Sequence, residues 1–340
     1  MKPSKGRFLW ADIIRILAIF LVIATHVTSL PGYVQLSDSF AIGFVSITKT
    51  CVPLFVMLSG ALLLSKKESY SEFFKRRVKR LLFPWLFWAV IFLLVEKNYL
   101  SQIHDLFSFS KVFMAAMESF WFLPMIFSLY IITPALRVFV QAAKLKDIGY
   151  IIVIWFVVVS LLPYYHNSLA FPLHVDDGLL RQVVNYLGYY LLGYYITNVK
   201  LPKKQLLIIS STSLITGFIS IAINLVVRGG STVSGFSNTL SFISPEVILL
   251  SIGIFVPVYR LLLNTEKKIN IIQSKAVVLI GSAALGVFFV HGFILELVQK
   301  CLYLSNSFPN QLLKVIVVFI ISLSIILSLM RVPIIKKFVS

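Results

Sequence analysis

Residues 10–30 read WADIIRILAIFLVIATHVTSL. Leu, Ile, Val, Ala and Phe dominate the run. At about 1.5 Å per residue it is long enough to cross a hydrocarbon layer of about 30 Å as a helix. Three ionisable residues sit within it, Asp12, Arg15 and His26. Charge inside a membrane is costly, so each marks a functional position unless a partner explains it. Helical geometry places them on one stripe. Asp12 lies three residues before Arg15. His26 lies eleven after it, about 20° out of phase and about 16 Å along the axis. The competing reading is an arginine snorkelling to the interface and a histidine bonded to a neighbouring helix. It explains neither Asp12 nor the shared stripe.

The 340-residue chain is 59% hydrophobic and 13% charged, against about 25% charged in soluble domains. This composition predicts an all-α fold, a polytopic transmembrane helix bundle forming a single domain over residues 1–340. Ten spans are expected near 10–30, 39–64, 81–97, 120–140, 149–165, 182–197, 206–227, 243–263, 276–298 and 311–330. The second contains Pro53 and Gly60 and is expected to be kinked or interrupted there. The first run is too long for a cleavable leader, shows no small-residue cleavage site and is followed by further spans. Cys51 and Cys301 lie in or beside spans and imply no disulfide framework. No internal repeat or separate soluble domain is visible.

A net charge of +18 would suit nucleic acid, but the cations are confined to short connections between apolar runs. The positive-inside rule accounts for them better. With the N-terminus inside, twenty-three Lys and Arg residues fall on the inner side and five on the outer. This ratio predicts N-in, C-in topology. Two outer connections are long enough to carry a role: 98–119 with His104, Asp105 and Glu118, and 163–181 with His166, His174, Asp176 and Asp177; 228–242 is a Gly/Ser-rich polar connection.

With that orientation, Arg15 is near the cytosolic face and His26 in the outer half. The pair reads as an anion holder and a reactive imidazole, the usual general base near neutral pH. Lys49 lies at a depth close to that of His26. It could neutralise an oxyanion or hold an acidic group; the competing role is pairing for packing. Seven cations crowd residues 66–80, more than orientation needs. Arg76, Arg77 or Arg80 could bind phosphates of a soluble ligand; topology and anionic headgroups are the plainer reading. Glu118 and Trp121 sit together at the outer edge, where Trp is often an interfacial anchor. Glu118 could orient the imidazole or take an acceptor hydroxyl. His291 lies buried in the ninth span, again in the outer half. Metal binding is not expected, since no CxxC, HxxxH or HExxH spacing occurs.

Together these residues resemble the membrane acyltransferase family 3. The first-span Asp-x-x-Arg and Arg-x10-His are Asp12, Arg15 and His26. Lys49 precedes VPLFVMLSG (52–60), a basic RRVKRLL segment follows at 76–82, and Phe120 to Leu123 with Tyr130 and Pro134 are similar to the family's aromatic run. LGYYLLGYY (187–195) resembles a further segment. Ser282 to His291 resembles the late element, with Leu285 and Phe288 in place of aromatic hydroxyls. The nearest likeness is to short O-acetyltransferases of surface glycans, such as the enterobacterial common antigen enzyme. One departure is Ser119, where many members carry His; Glu118 is the group able to substitute.

The resemblance implies an acyltransferase in the cell membrane. Its donor would be acyl-CoA, with acetyl-CoA foremost and succinyl also possible. Its acceptor would be a glycan or lipid-linked sugar. Asp12, Arg15, Lys49, Arg76, Arg77 and Arg80 would serve the donor. Trp121, Ser119 and Tyr130 would serve the acceptor. His26 would be catalytic, with Glu118 and His291 beside it. Direct deprotonation of the acceptor and transient acylation of His26 are both open. The alternative is a secondary transporter or polysaccharide exporter using Arg15, Lys49 and His26 as a relay; such proteins usually show repeated halves, and none is visible.

Overall fold

Helix α1 (Leu9–Thr28) is buried on most of its surface, as expected of a helix apolar nearly all round. Several of the other helices pack directly against it. The computed structural model describes residues 8–29, 39–95, 104–165, 178–228, 240–265, 271–302 and 307–339. The tail cations Lys2, Lys5 and Arg7, the loop residues His166, His174, Asp176 and Asp177, and most of the 228–242 connection lie outside these.

After α1 the chain forms α2 (Ser39–Thr48) and α3 (Cys51–Leu63). The break falls at Lys49–Thr50, not within the VPLFVMLSG stretch. Pro53 has no N–H and its ring would crowd the carbonyl four residues back, at Lys49. The interruption therefore precedes the proline. Gly60 does not kink α3. A Cβ on Gly60 would stand 1.8 Å from the Tyr190 carbonyl oxygen, and one on Gly193 1.8 Å from that of Met57. The two glycines let α3 and a later helix touch backbone to backbone.

The basic segment expected as a loop is helical. α4 (Tyr70–Arg77) passes through a π-helical turn, Val78–Leu82, into α5 (Phe83–Val95). α6 (Leu106–Glu118) and α7 (Phe122–Ala142) follow. α8 (Leu145–Trp155) passes through a second π turn, Phe156–Leu161, into α9 (Leu162–Tyr165). Each π turn sits just ahead of a proline, Pro84 or Pro163, whose missing N–H disturbs the normal ladder. α10 (Leu179–Asn198), α11 (Lys203–Arg228), α12 (Pro245–Thr265), α13 (Ile271–Cys301), α14 (Phe308–Leu329) and α15 (Pro333–Val339) complete the chain. Inside α12, Pro257 leaves the Gly253 carbonyl without its helical donor. Ser210 of α11 donates its hydroxyl there at 2.8 Å.

Among the described residues no strand occurs, and eight helical stretches are long and apolar enough to cross a membrane. The protein is an all-α polytopic bundle. Two expected spans, 149–165 and 182–197, are not among the eight. The first corresponds to α8 and α9, joined through the second π turn. The second, α10, is rich in tyrosine, and Tyr189 and Tyr190 are fully buried. A helix enclosed by other helices need not be as apolar as one facing lipid.

Candidate active site

α1 and α13 lie side by side and run in the same direction. Near their starts, a Cβ on Gly281 of α13 would come within 2.8 Å of Asp12 Oδ1, so the absent side chain is what admits the carboxylate. Near their far ends the imidazoles of His26 and His291 meet, with ring centroids 5.0 Å apart and planes at 49°. His291 is buried. His26 is exposed although Thr25 and Val27 beside it are buried. Its exposed surface opens into a cavity of about 270 Å³ that both histidines line.

A backbone contact orders the second imidazole. Nδ1 of His291 lies 2.6 Å from the Phe288 carbonyl oxygen. A carbonyl only accepts, so Nδ1 carries the hydrogen and Nε2 of the neutral ring keeps its lone pair.

The cavity wall is aromatic, built by Phe92, Phe120, Phe288 and Phe293, with Trp121 and Ser119 also on it. Trp121 remains 37% exposed and packs on Phe242 at 5.4 Å between centroids. The Lys49 ammonium sits 5.3 Å over the same Phe242 ring, a cation–π contact. The α2–α3 break brings it there. The Thr25 hydroxyl, shared between the Leu21 and Thr48 carbonyls at 2.9 and 3.0 Å, ties the break to α1 one residue before His26. Beyond His291 on α13, Gly292 and Glu296 also line the cavity. A Cβ on Gly292 would have no atom within 4 Å. Glu296 Oε1 pairs with Lys300 Nζ at 2.5 Å.

The opposite end of α1 carries the other half of the stripe. Arg15 Nη1 donates to Asp12 Oδ1 at 2.6 Å, and Asp12 is fully buried while Arg15 is partly exposed. At the end of α3, Glu68 collects three guanidinium groups. Arg137 Nη2 lies 2.8 Å from Oε1, Arg76 Nη1 3.3 Å from Oε2 and Arg77 Nη2 3.7 Å from Oε1. Arg137 also donates through Nε to the Leu63 carbonyl at 2.9 Å. Burial alone would raise the Glu68 carboxyl. The Arg137 hydrogen bond and the Arg77 charge outweigh it and hold the group below the ordinary carboxylate value. Desolvation lowers the nearby Lys66, and repulsion from Arg77 adds to it.

The structure thus gathers His26, His291, Ser119 and Trp121 on one cavity, with Lys49 joined to Trp121 through Phe242. It pairs Asp12 with Arg15 and brings Arg76 and Arg77 to Glu68. Arg80 lies in the first π turn, Val78–Leu82. Tyr130 is apart from the cavity, its ring 6.3 Å from Phe73 of α4. Glu118 ends α6; its side chain lies outside the described residues. Among the described residues no cluster of three or more His, Cys, Asp or Glu forms a metal site. Sequence reasoning passed over Phe242, whose partners are remote in the chain. It also passed over Glu68 and Arg137. The available signal for Glu68 was that it is one of two acids, with Glu72, inside a strongly basic run.

A family model described as an acyltransferase domain matches residues 8–331. No curated protein and no solved structure matches the chain. The match begins just ahead of α1 and runs past the end of α14, so it takes in both histidines, the cavity and the Glu68 cluster. The chain belongs to the acyltransferase-3 family of membrane acyltransferases.

Proposed function

We propose that the protein moves a short acyl group, acetyl foremost, from cytosolic acyl-CoA to a hydroxyl of an extracytoplasmic or lipid-linked surface glycan. It would do so from the cell membrane, with the Arg15 end of α1 facing the cytosol. The observation that carries this reading is the exposed His26 imidazole, 5.0 Å from His291 on one aromatic-lined cavity. A volume of about 270 Å³ lies just below the usual range of small-molecule sites, about 300–1,000 Å³, and suits a short acyl chain.

The donor's phosphates are held at the Arg15 end, and its thioester arrives near His26, about 16 Å further along the axis. His26 takes the proton of the acceptor hydroxyl as its oxygen attacks the thioester carbonyl. The carbon–sulfur bond then breaks, and the CoA thiolate leaves and is protonated. In the second route the imidazole itself takes the acyl group before the hydroxyl does. His291, with Nε2 unprotonated, orients or relays beside it. Lys49 is the nearby cation available to a developing oxyanion. Trp121 and Ser119 meet the acceptor. The glycan class follows the short O-acetyltransferases that the motifs most resemble.

Purified protein incubated with radiolabelled acetyl-CoA and a polyprenyl-linked oligosaccharide tests this. Label should appear in the sugar with release of free CoA, and His26→Ala should stop it. Failure to bind or consume acyl-CoA would overturn the reading.

A further inference from the structure

Among the described residues that line the cavity, Glu296 is the only Asp, Glu, Lys or Arg. The cations Lys49 and Lys300 stand off the wall, one over the Phe242 ring and the other beside Glu296. Lys300 engages Oε1, so Oε2 keeps its lone pairs for another donor. The Glu296 side chain is 51% exposed, open to a ligand rather than sealed by packing. The function derived above leaves this carboxylate without a task.

Helix geometry explains how it reaches the cavity. Positions 292 and 296 are four apart and share a face of α13, and a helical side chain leans back over the turn before it. Glu296 therefore leans over Gly292. A Cβ on Gly292 would have no atom within 4 Å, so no side chain stands between the carboxylate and the space the imidazoles line. Glu296 lies about 7.5 Å beyond His291 along the helix axis. The same cavity carries the partly exposed Trp121 ring and the Ser119 hydroxyl, which donates to the Ala115 carbonyl at 3.1 Å and keeps lone pairs to accept. A carboxylate only accepts hydrogen bonds, and an aromatic face takes up apolar surface. A pyranose supplies both partners, hydroxyl donors around its rim and C–H groups on its faces. An acidic sugar would instead bring like charge to Glu296 beside an aromatic wall, where such repulsion is poorly screened.

We propose that Glu296 is a specificity-determining residue for the acceptor, which takes hydroxyl hydrogens of a neutral pyranose and turns acidic sugars away. The proposal rests on the glycan acyltransferase reading above and narrows its acceptor to an uncharged sugar. The ring lies against Trp121, and the hydroxyl to be acylated points to His26. Lys300 holds the carboxylate from its outer side and leaves Oε2 to the sugar.

The experiment gives the intact chain in nanodiscs radiolabelled acetyl-CoA and either polyprenyl-phosphate-linked glucose or its glucuronic acid counterpart, which differ only at carbon 6. Label should enter glucose with a kcat/KM at least about tenfold above that for glucuronate. This comparison uses the unsubstituted protein and needs no variant to fold. Glu296→Gln should raise the KM for the glucose acceptor about three- to tenfold, narrow the gap between the two sugars and leave acetyl-CoA binding unchanged. Glu296→Asp keeps the charge and should recover part of the preference. Lys300→Met breaks the same ion pair but keeps the carboxylate, and should hold the acceptor KM within about twofold. A merely structural pair would move Glu296→Gln and Lys300→Met alike. Equal use of the two sugars, preference for glucuronate, an unmoved KM in Glu296→Gln or a matching loss in Lys300→Met would each overturn the proposal. Acetyl-CoA bound with no label in either sugar overturns it and leaves the donor reading standing. Acetyl-CoA not bound at all overturns the acyltransferase reading on which it rests.

Discussion

His26 and His291 hold their ring centroids 5.0 Å apart although 265 positions separate them in the chain. One ring is exposed to the cavity and the other is buried and anchored by its own backbone. On the function proposed above, His26 meets the reactants and His291 presents a fixed nitrogen. His26→Ala is expected to lower transfer about 10²- to 10⁴-fold with donor binding retained. At position 291, Asn can imitate the Nδ1 bond to Phe288 and Gln can place a polar group where Nε2 stands. If Nε2 is what the reaction uses, initial rates should rank Gln above Asn.

Arg15 and Asp12 form the other end of the stripe. Arg15→Gln should raise the donor KM about ten- to hundredfold, the loss expected for a hydrogen bond to a charged group, with little change in kcat. Equilibrium binding of labelled CoA checks this. If His26→Ala and Arg15→Gln lose donor binding equally, the stripe is structural.

The close approach of α3 and α10 leaves no room at either glycine. Gly60→Ala and Gly193→Ala each drive a methyl into a backbone carbonyl, and overpacking of this kind costs at least about 1–3 kcal/mol. Both should lower the thermal unfolding midpoint and the folded yield. Gly43→Ala is the control, since its Cβ would meet nothing nearer than a Phe218 ring carbon at 3.9 Å.

Glu68 gives the bundle a defined acid response. Burial acts to raise its carboxyl, but the Arg137 hydrogen bond and Arg77 charge bring it below its unfolded value of 4.5. A depressed folded value stabilises the fold above the unfolded value and loses that contribution as pH falls through the folded one. The difference in unfolding midpoint between the unsubstituted protein and Glu68→Gln should hold from pH 7 down to about 5 and shrink below 4.5. A difference that grows on acidification would contradict the ion-pair account.

Gly292 is the open part of the cavity wall. Gly292→Ala displaces no protein atom, and alanine favours helix by about 1 kcal/mol over glycine. Thermal stability should therefore hold or rise slightly. Larger side chains such as Leu should raise the acceptor KM while leaving donor binding unchanged. An unaffected acceptor KM would place the acceptor elsewhere.

Much of this protein was legible from local rules. A membrane span must satisfy its own backbone, so apolar runs of about twenty residues announce helices. The Asp12–Arg15 pair follows from three-residue spacing on one turn. The interruption of the second span was also foreseeable, but its site moved to Lys49–Thr50 because proline acts on the carbonyl four residues before it. α10 was expected as a span, and its tyrosines are explained only by the helices that enclose it. The meeting of His26 with His291, of Lys49 with Phe242, and of Glu68 with Arg137 belongs to the tertiary structure alone. Those pairs depend on how closely helices approach, which is set by small residues such as Gly60, Gly193 and Gly281 and the carbonyls or carboxylates facing them. Helical periodicity is a property of one segment and can be read along the chain. Contact between helices is a property of two surfaces, and it exists only once both have packed.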